Sequence, residues 1–189
     1  MGGDELALRF RAKEGAHSLL TTPGAAKWYR SDGPAAAQRV DIELAAGACC
    51  EWLPQETIFF AGAHANSEVS VRLAADALAF GWDINCLGRP AAGERFDTGL
   101  LRLAVKIEYD GNLLWLERAR LAGGDALLAS PIGLRNYSVF ATAYFAGREC
   151  EASLLESLRE IPAPRDADSA LTALPRLLVA RYLGSSAEQ

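Results

Sequence analysis

Strict alternation of apolar and polar residues limits what this chain can form more than any other feature. In 101–109, Leu101, Leu103, Val105, Ile107 and Tyr109 share one phase, while Arg102, Lys106 and Glu108 take the other. A strand turns successive side chains to opposite faces, so this run offers one face to a core and one to water. On a helix the same five apolar residues would be spread around the axis. Two further runs repeat the pattern. Val40, Ile42 and Leu44 alternate with Arg39, Asp41 and Glu43, and Val69, Val71 and Leu73 alternate with Glu68, Ser70 and Arg72.

Turn residues separate these runs at short intervals. Asp110-Gly111-Asn112 lies between the run ending at Tyr109 and a second run, Leu113 to Leu121. Asp-Gly accommodates the positive φ angles of a tight hairpin, so these two runs are expected to pair antiparallel. Roughly nine strands are expected before residue 150, spaced about 8–12 residues apart, as in sandwiches and stacked antiparallel sheets. Helix is scarce. Leu154, Leu155, Leu158 and Ile161 recur at helical spacing over 150–161, and Pro162 and Pro164 end that segment. Residues 162–170 are expected to be loop and 176–183 a strand. The expected fold is all-β and mainly antiparallel, with stacked sheets and one or two short helices, in a single domain over 1–189. An opening strand at Leu6 to Phe10 would need a partner strand from elsewhere.

Composition removes several functions. Half of the 189 residues are hydrophobic and 23% are charged, which is enough apolar material for a core and too much for a disordered chain. The 16 Arg and three Lys are scattered, and the formal net charge is −5. Nucleic-acid binding draws most of its affinity from phosphate neutralisation, so this balance argues against it. The same balance argues against a polybasic membrane-surface role. Charges interrupt every apolar run before it could span a membrane. Met1 to Glu5 carry neither the basic nor the apolar stretch of a secretory leader, and a cytoplasmic location is expected. The four cysteines, Cys49, Cys50, Cys86 and Cys150, include no CxxC pair and read as small apolar side chains.

Signatures of catalysis are missing. The only histidines, His17 and His64, lie in separate segments, with no HExxH, HxH or Cys/His cluster. No GxGxxG, P-loop or GxSxG motif occurs. Two acids on apolar strands are unusual instead: Asp83 within Ala79 to Leu87, and Glu117 within Leu113 to Arg118. A carboxylate taken from water needs a cation, a donor or a proton. Asp83 and Glu117 either face solvent or pair locally, as Glu117 could with Arg118 or Arg120, or they line a polar interior suited to weak passage of a cation. Alternatives from other classes are a metal-assisted hydrolase that uses the two as ligands or as an acid/base pair, and a structural β-domain whose acids are solvated. Two segments mix aromatic, proline and charged residues at strand ends, as interfaces and ordinary cores both do: Thr21 to Arg30, with Lys27, Trp28, Tyr29 and Arg30, and Glu51 to Glu56, with Trp52 and Gln55.

These segments carry a family resemblance. Gly2-Gly3-Asp4, then Leu20-Thr21-Thr22-Pro23-Gly24-Ala25-Ala26-Lys27-Trp28-Tyr29-Arg30-Ser31, then Glu51-Trp52-Leu53-Pro54-Gln55-Glu56-Thr57-Ile58-Phe59-Phe60 follow one another in order. Trp82-Asp83 with Cys86-Leu87-Gly88-Arg89-Pro90 completes the series. Together they resemble the urease accessory protein UreD (UreH) family, in register from residue 2 to about 121. The resemblance implies stacked β-sheets and a non-enzymatic role as a scaffold between apo-urease and a complex of UreF with the GTPase UreG. It also implies transient nickel contact, with no tightly bound cofactor, along an internal path marked by Asp4, Glu5, Asp83 and Glu117. Lys27 occupies a family-typical position, and Lys27, Trp28, Tyr29, Arg30, Trp52 and Gln55 are expected to contact partners. Family members usually carry strands before the Gly-Gly-Asp motif and a segment beyond the position of Gln189, so a shortened form is expected.

Overall fold

The computed structural model describes residues 2–187. The chain winds back and forth between two stacked sheets. A first circuit comprises β1 (Glu5–Ala12), β2 (His17–Thr21) and β3 (Ala26–Trp28), and a second repeats it as β4 (Ala36–Leu44), β5 (Cys49–Leu53) and β6 (Thr57–Phe59). The third is β7 (His64–Leu73) and a long β8 (Leu78–Leu87) that pairs with both β5 and β6. A hairpin of β9 (Leu100–Tyr109) and β10 (Asn112–Ala122) follows, then a short helix α1 (Ala126–Ala129) and β11 (Val139–Ala146). Helix α2 (Ala152–Arg159) leads to a closing hairpin of β12 (Asp168–Leu174) and β13 (Leu177–Gly184).

One sheet has the order β1-β4-β7-β9-β10, and the larger sheet runs β12-β13-β11-β8-β5-β2 with β3 and β6 alongside. The all-β, stacked-sheet expectation with few helices holds. The expectation of mainly antiparallel pairing does not. Among the described residues, seven of the eleven ladders are parallel. Alternation is common to both kinds of ladder, and close turns show only that strands are short. In the first three circuits the chain crosses from one sheet to the other and back, so a strand meets its counterpart from the next circuit, about 30 residues on. Strand β1 finds its partner in this way, in β4, by parallel pairing.

The β9–β10 hairpin forms as expected. Asp110 (φ 49) and Gly111 (φ 75) both take positive angles, as a two-residue turn matching strand twist requires. A bulge between Leu113 and Trp115 then resets which residues of β10 face inward. Strand β12 starts inside a stretch expected to be loop, because its hairpin with β13 supplies pairing that a polar, mostly exposed sequence does not announce.

In-register pairing stacks like residues. Leu8, Val40, Val69 and Val105 form one inward row, and Phe10, Ile42, Val71 and Ile107 form the next. Cys50 enters this core while Cys49 faces the other way, as alternation requires, and all four cysteines are free. No helix among the described residues is long and apolar enough to cross a membrane.

Candidate functional site

The core is not continuous. One hydrophobic cluster gathers Val40, Ile42, Trp52, Val71, Ile107, Tyr144, Leu177 and Val179, and a second gathers Phe59, Ala65, Leu87, Phe96, Leu101 and Leu121. Between them, over two adjacent levels along the strands, polar residues enter the inward phase. Gln38, Ser67 and Glu117 come from one sheet, and Asp83, Asn85, Thr142 and Arg181 from the other. A cavity of about 250 Å³ opens between the sheets here, lined by Gln38, Ser67, Asp83 and Asn85 among apolar neighbours.

Strand phase explains each placement. On β8, Ala79, Gly81, Asp83, Asn85 and Leu87 all point inward. Across the ladder Asp83 sits beside Thr142, which in turn sits beside Arg181. On β10 the bulge places Glu117 opposite Val105, in the inward row. Glu117 therefore faces away from Arg118 and Arg120, and the local pair with either does not form. Its partner is Arg181, 64 residues away, whose Nη1 donates to Oε1 at 2.6 Å and also to Thr142 Oγ1 at 3.3 Å. Trp82, on the opposite phase to Asp83, donates from Nε1 to the Pro54 carbonyl at 2.8 Å and so pins the loop at one side of the cavity.

Asp83 keeps some accessible surface toward the cavity, yet protein surrounds its carboxylate. Asn85 Nδ2 donates to its Oδ2 at 2.7 Å. Burial pushes the Asp83 pKa up to about 6, and the Glu117 charge adds to the rise while the Asn85 hydrogen bond and Arg181 oppose it. Tyr144 crosses over Gly81, where a Cβ would lie 2.5 Å from the phenolic oxygen. Burial, then the charge of Asp83, raises the Tyr144 phenol well above its ordinary value. Among the described residues, no hydrogen-bond partner reaches the buried Tyr144 Oη or Glu117 Oε2. Two orphaned oxygens beside a raised carboxylate form an electron-rich spot in an apolar surround. Among the described residues no three His, Cys, Asp or Glu side chains converge on a point that could hold a metal ion. Oxygen donors this few suit brief contact with a cation and not tight retention.

The other predicted residues fall elsewhere. Asp4 and Glu5 are exposed and line no part of the interior cavity; Glu5 opens β1 on the outer face. Trp52 is a correction: it is 4% exposed, packed 5.9 Å from the Phe10 ring, and no partner reaches it in the folded chain. Trp28 stacks against the buried Phe59. Lys27, Tyr29, Arg30 and Gln55 are exposed, with Tyr29 against Phe60 and Arg30 paired to Asp32. Asn85, Thr142, Tyr144 and Arg181 went unpredicted. The signal was available for Asn85, a polar residue in the inward phase of an apolar strand.

The chain matches a family model described as "UreD urease accessory protein" over residues 1–189. The Urease accessory protein UreD of Dechloromonas aromatica is 48% identical over 190 residues, covering 99% of this chain and 66% of that protein. That of Pseudomonas fluorescens Pf-5 is 50% identical over 188 residues, covering 100% of this chain and 66% of that protein. The Pseudomonas aeruginosa protein of the same name is 49% identical over 187 residues, with 98% and 65% covered. The chain thus spans about two thirds of the length of the curated relatives it matches. Their names describe an accessory role and no reaction.

Proposed function

The chain belongs to the UreD family of urease accessory proteins, and on that footing we propose that it serves urease maturation in the cytoplasm as a scaffold. In this reading it links the UreF and UreG complex to apo-urease and lets nickel pass toward the urease active site through its acidic interior. One observation carries the reading: a polar layer, with a cavity in it, cuts the hydrophobic core in two and brings Asp83 and Glu117 together from opposite sheets.

A polar layer of this kind costs stability. Burying a carboxylate opposes folding unless it is fully paired, and here two oxygens find no partner among the described residues. A passage for a divalent cargo accounts for such an arrangement. Nickel is borderline in softness and binds tightly where imidazole or thiolate is supplied; a few oxygens release it readily. Arg181 balances the charge of Glu117. Asp4 and Glu5 form an external acidic approach, and Lys27, Tyr29, Arg30 and Gln55 belong to partner-facing surface.

The test is urease activation by nickel in cells that co-express the urease and accessory subunits. Asp83→Ala and Glu117→Ala are expected to lower activation by an order of magnitude while UreF still co-purifies. Loss of co-purification in both variants would make the two acids structural and overturn the passage.

A further inference from the structure

We propose that the outer face of the five-stranded sheet carries a docking groove for a carboxylate-rich segment of a partner protein, received by Arg102, Arg118 and Arg120. This face points away from the polar interior, and Glu5 is the one groove residue shared with the proposed nickel approach. The in-register ladders build two outward rows there: Ala7, Arg39, Glu68, Ala104 and Arg118, and Glu5, Ala37, Asn66, Arg102 and Arg120. Alanines at 7, 37 and 104 make a low floor between long side chains, and the result is a groove of about 690 Å³.

Charge in the groove is uneven. Arg39 is paired with Glu68, but Arg102, Arg118 and Arg120 are exposed and make no ion pair or side-chain hydrogen bond among the described residues. Arg102 and Arg120 sit directly opposite each other across the β9–β10 ladder, an arrangement in which like charges repel. Arg118 follows two residues away on the same face, about 7 Å along the strand. Elsewhere on this face the same sheet avoids such crowding. Arg11 and Arg72 share Glu43, and Lys106 pairs with Glu108. Three uncompensated cations on a chain of net charge −5 therefore mark one spot, at the β10 edge of the sheet.

Shape and charge select the occupant. The groove crosses five strands, about 19 Å at the usual strand spacing, which is the length of an extended segment of about six residues. A small anion would fill only the arginine end. A nucleic-acid backbone would meet Glu5 and Glu68 in the same groove. A polypeptide with carboxylates at one end and neutral or basic residues toward β1 satisfies both ends, and arginine pairs with carboxylate in a bidentate geometry.

Fluorescence anisotropy on the full chain tests this, with a short fluorescein-labelled peptide of alternating Glu and Thr as the probe and a Lys/Thr peptide as its control. Arg118→Glu/Arg120→Glu is expected to weaken binding by at least about tenfold, since two attractions become repulsions. Arg9→Glu, a single charge reversal on the same face outside the groove, is expected to leave it unchanged. If the double charge reversal lowers the thermal midpoint, Arg118→Gln/Arg120→Gln takes its place, with a smaller loss of binding in the same direction. Wild-type affinity must also fall as ionic strength rises. Equal binding of the two peptides, equal losses in Arg9→Glu and the arginine pair, or a salt-insensitive affinity overturns the proposal. Displacement of the peptide by millimolar inorganic phosphate also overturns it, by reducing the site to one for small anions.

Discussion

Replacing Asp83 with Asn is expected to stabilise the fold at neutral pH while impairing its proposed use, and the size of the gain follows from the site. The folded-state pKa is raised from 3.8 to about 6, mainly by burial. A carboxyl with a raised folded pKa binds its proton more tightly in the native chain than in the unfolded one. Between about pH 4 and pH 6 the native state thus holds the extra proton, and stability falls as pH rises through that window. The full cost is present above it. A shift of about two pKa units corresponds to about 3 kcal/mol at most. Asparagine keeps the shape, accepts the Asn85 hydrogen bond on its amide oxygen, and carries no charge to bury. Urea unfolding of both proteins at about pH 4 and about pH 7 isolates the effect, because every other titrating group is common to the two. The gap in unfolding free energy should widen in favour of the variant by about 2–3 kcal/mol over that range. A gap that stays constant with pH would refute the buried, raised carboxylate.

Two further substitutions probe the same region. Gly81→Ala puts a methyl group 2.5 Å from Tyr144 Oη and 2.6 Å from its Cζ, so the ring must move, at a cost of about 1–3 kcal/mol visible in the thermal midpoint; an unchanged midpoint would mean that Tyr144 does not lie across Gly81. Tyr144→Phe removes a buried hydroxyl that has no partner among the described residues, so stability is expected to hold or rise by about 1 kcal/mol. A clear loss would mean that the hydroxyl is satisfied after all.

How much of this was legible depended on distance along the chain. The β9–β10 hairpin was fully legible, because alternation and Asp110-Gly111 are local. Asp83 and Glu117 stood out as acids on apolar strands, but whether they faced the interior or solvent stayed open in the sequence. Their company was not legible: Arg181 reaches Glu117 only through the order of strands in the sheets, which no local pattern encodes. Parallel pairing was missed for the same reason, since period two is identical whichever way the neighbouring strand runs. Trp52 shows a different limit. Aromatic, proline and charged residues occur together in interfaces and in cores alike, and only strand phase, inward for Trp52 and outward for Glu51, separates them.

Whether nickel crosses this interior is tested most directly by following the metal itself. The assembled complex of this chain with UreF, UreG and apo-urease would be given radiolabelled nickel, and the label retained by urease counted after gel filtration. The charge-neutral double variant Asp83→Asn/Glu117→Gln is expected to assemble as the wild type does and to deliver a small fraction of the nickel. Delivery at the wild-type rate by an intact variant complex would contradict a passage through Asp83 and Glu117.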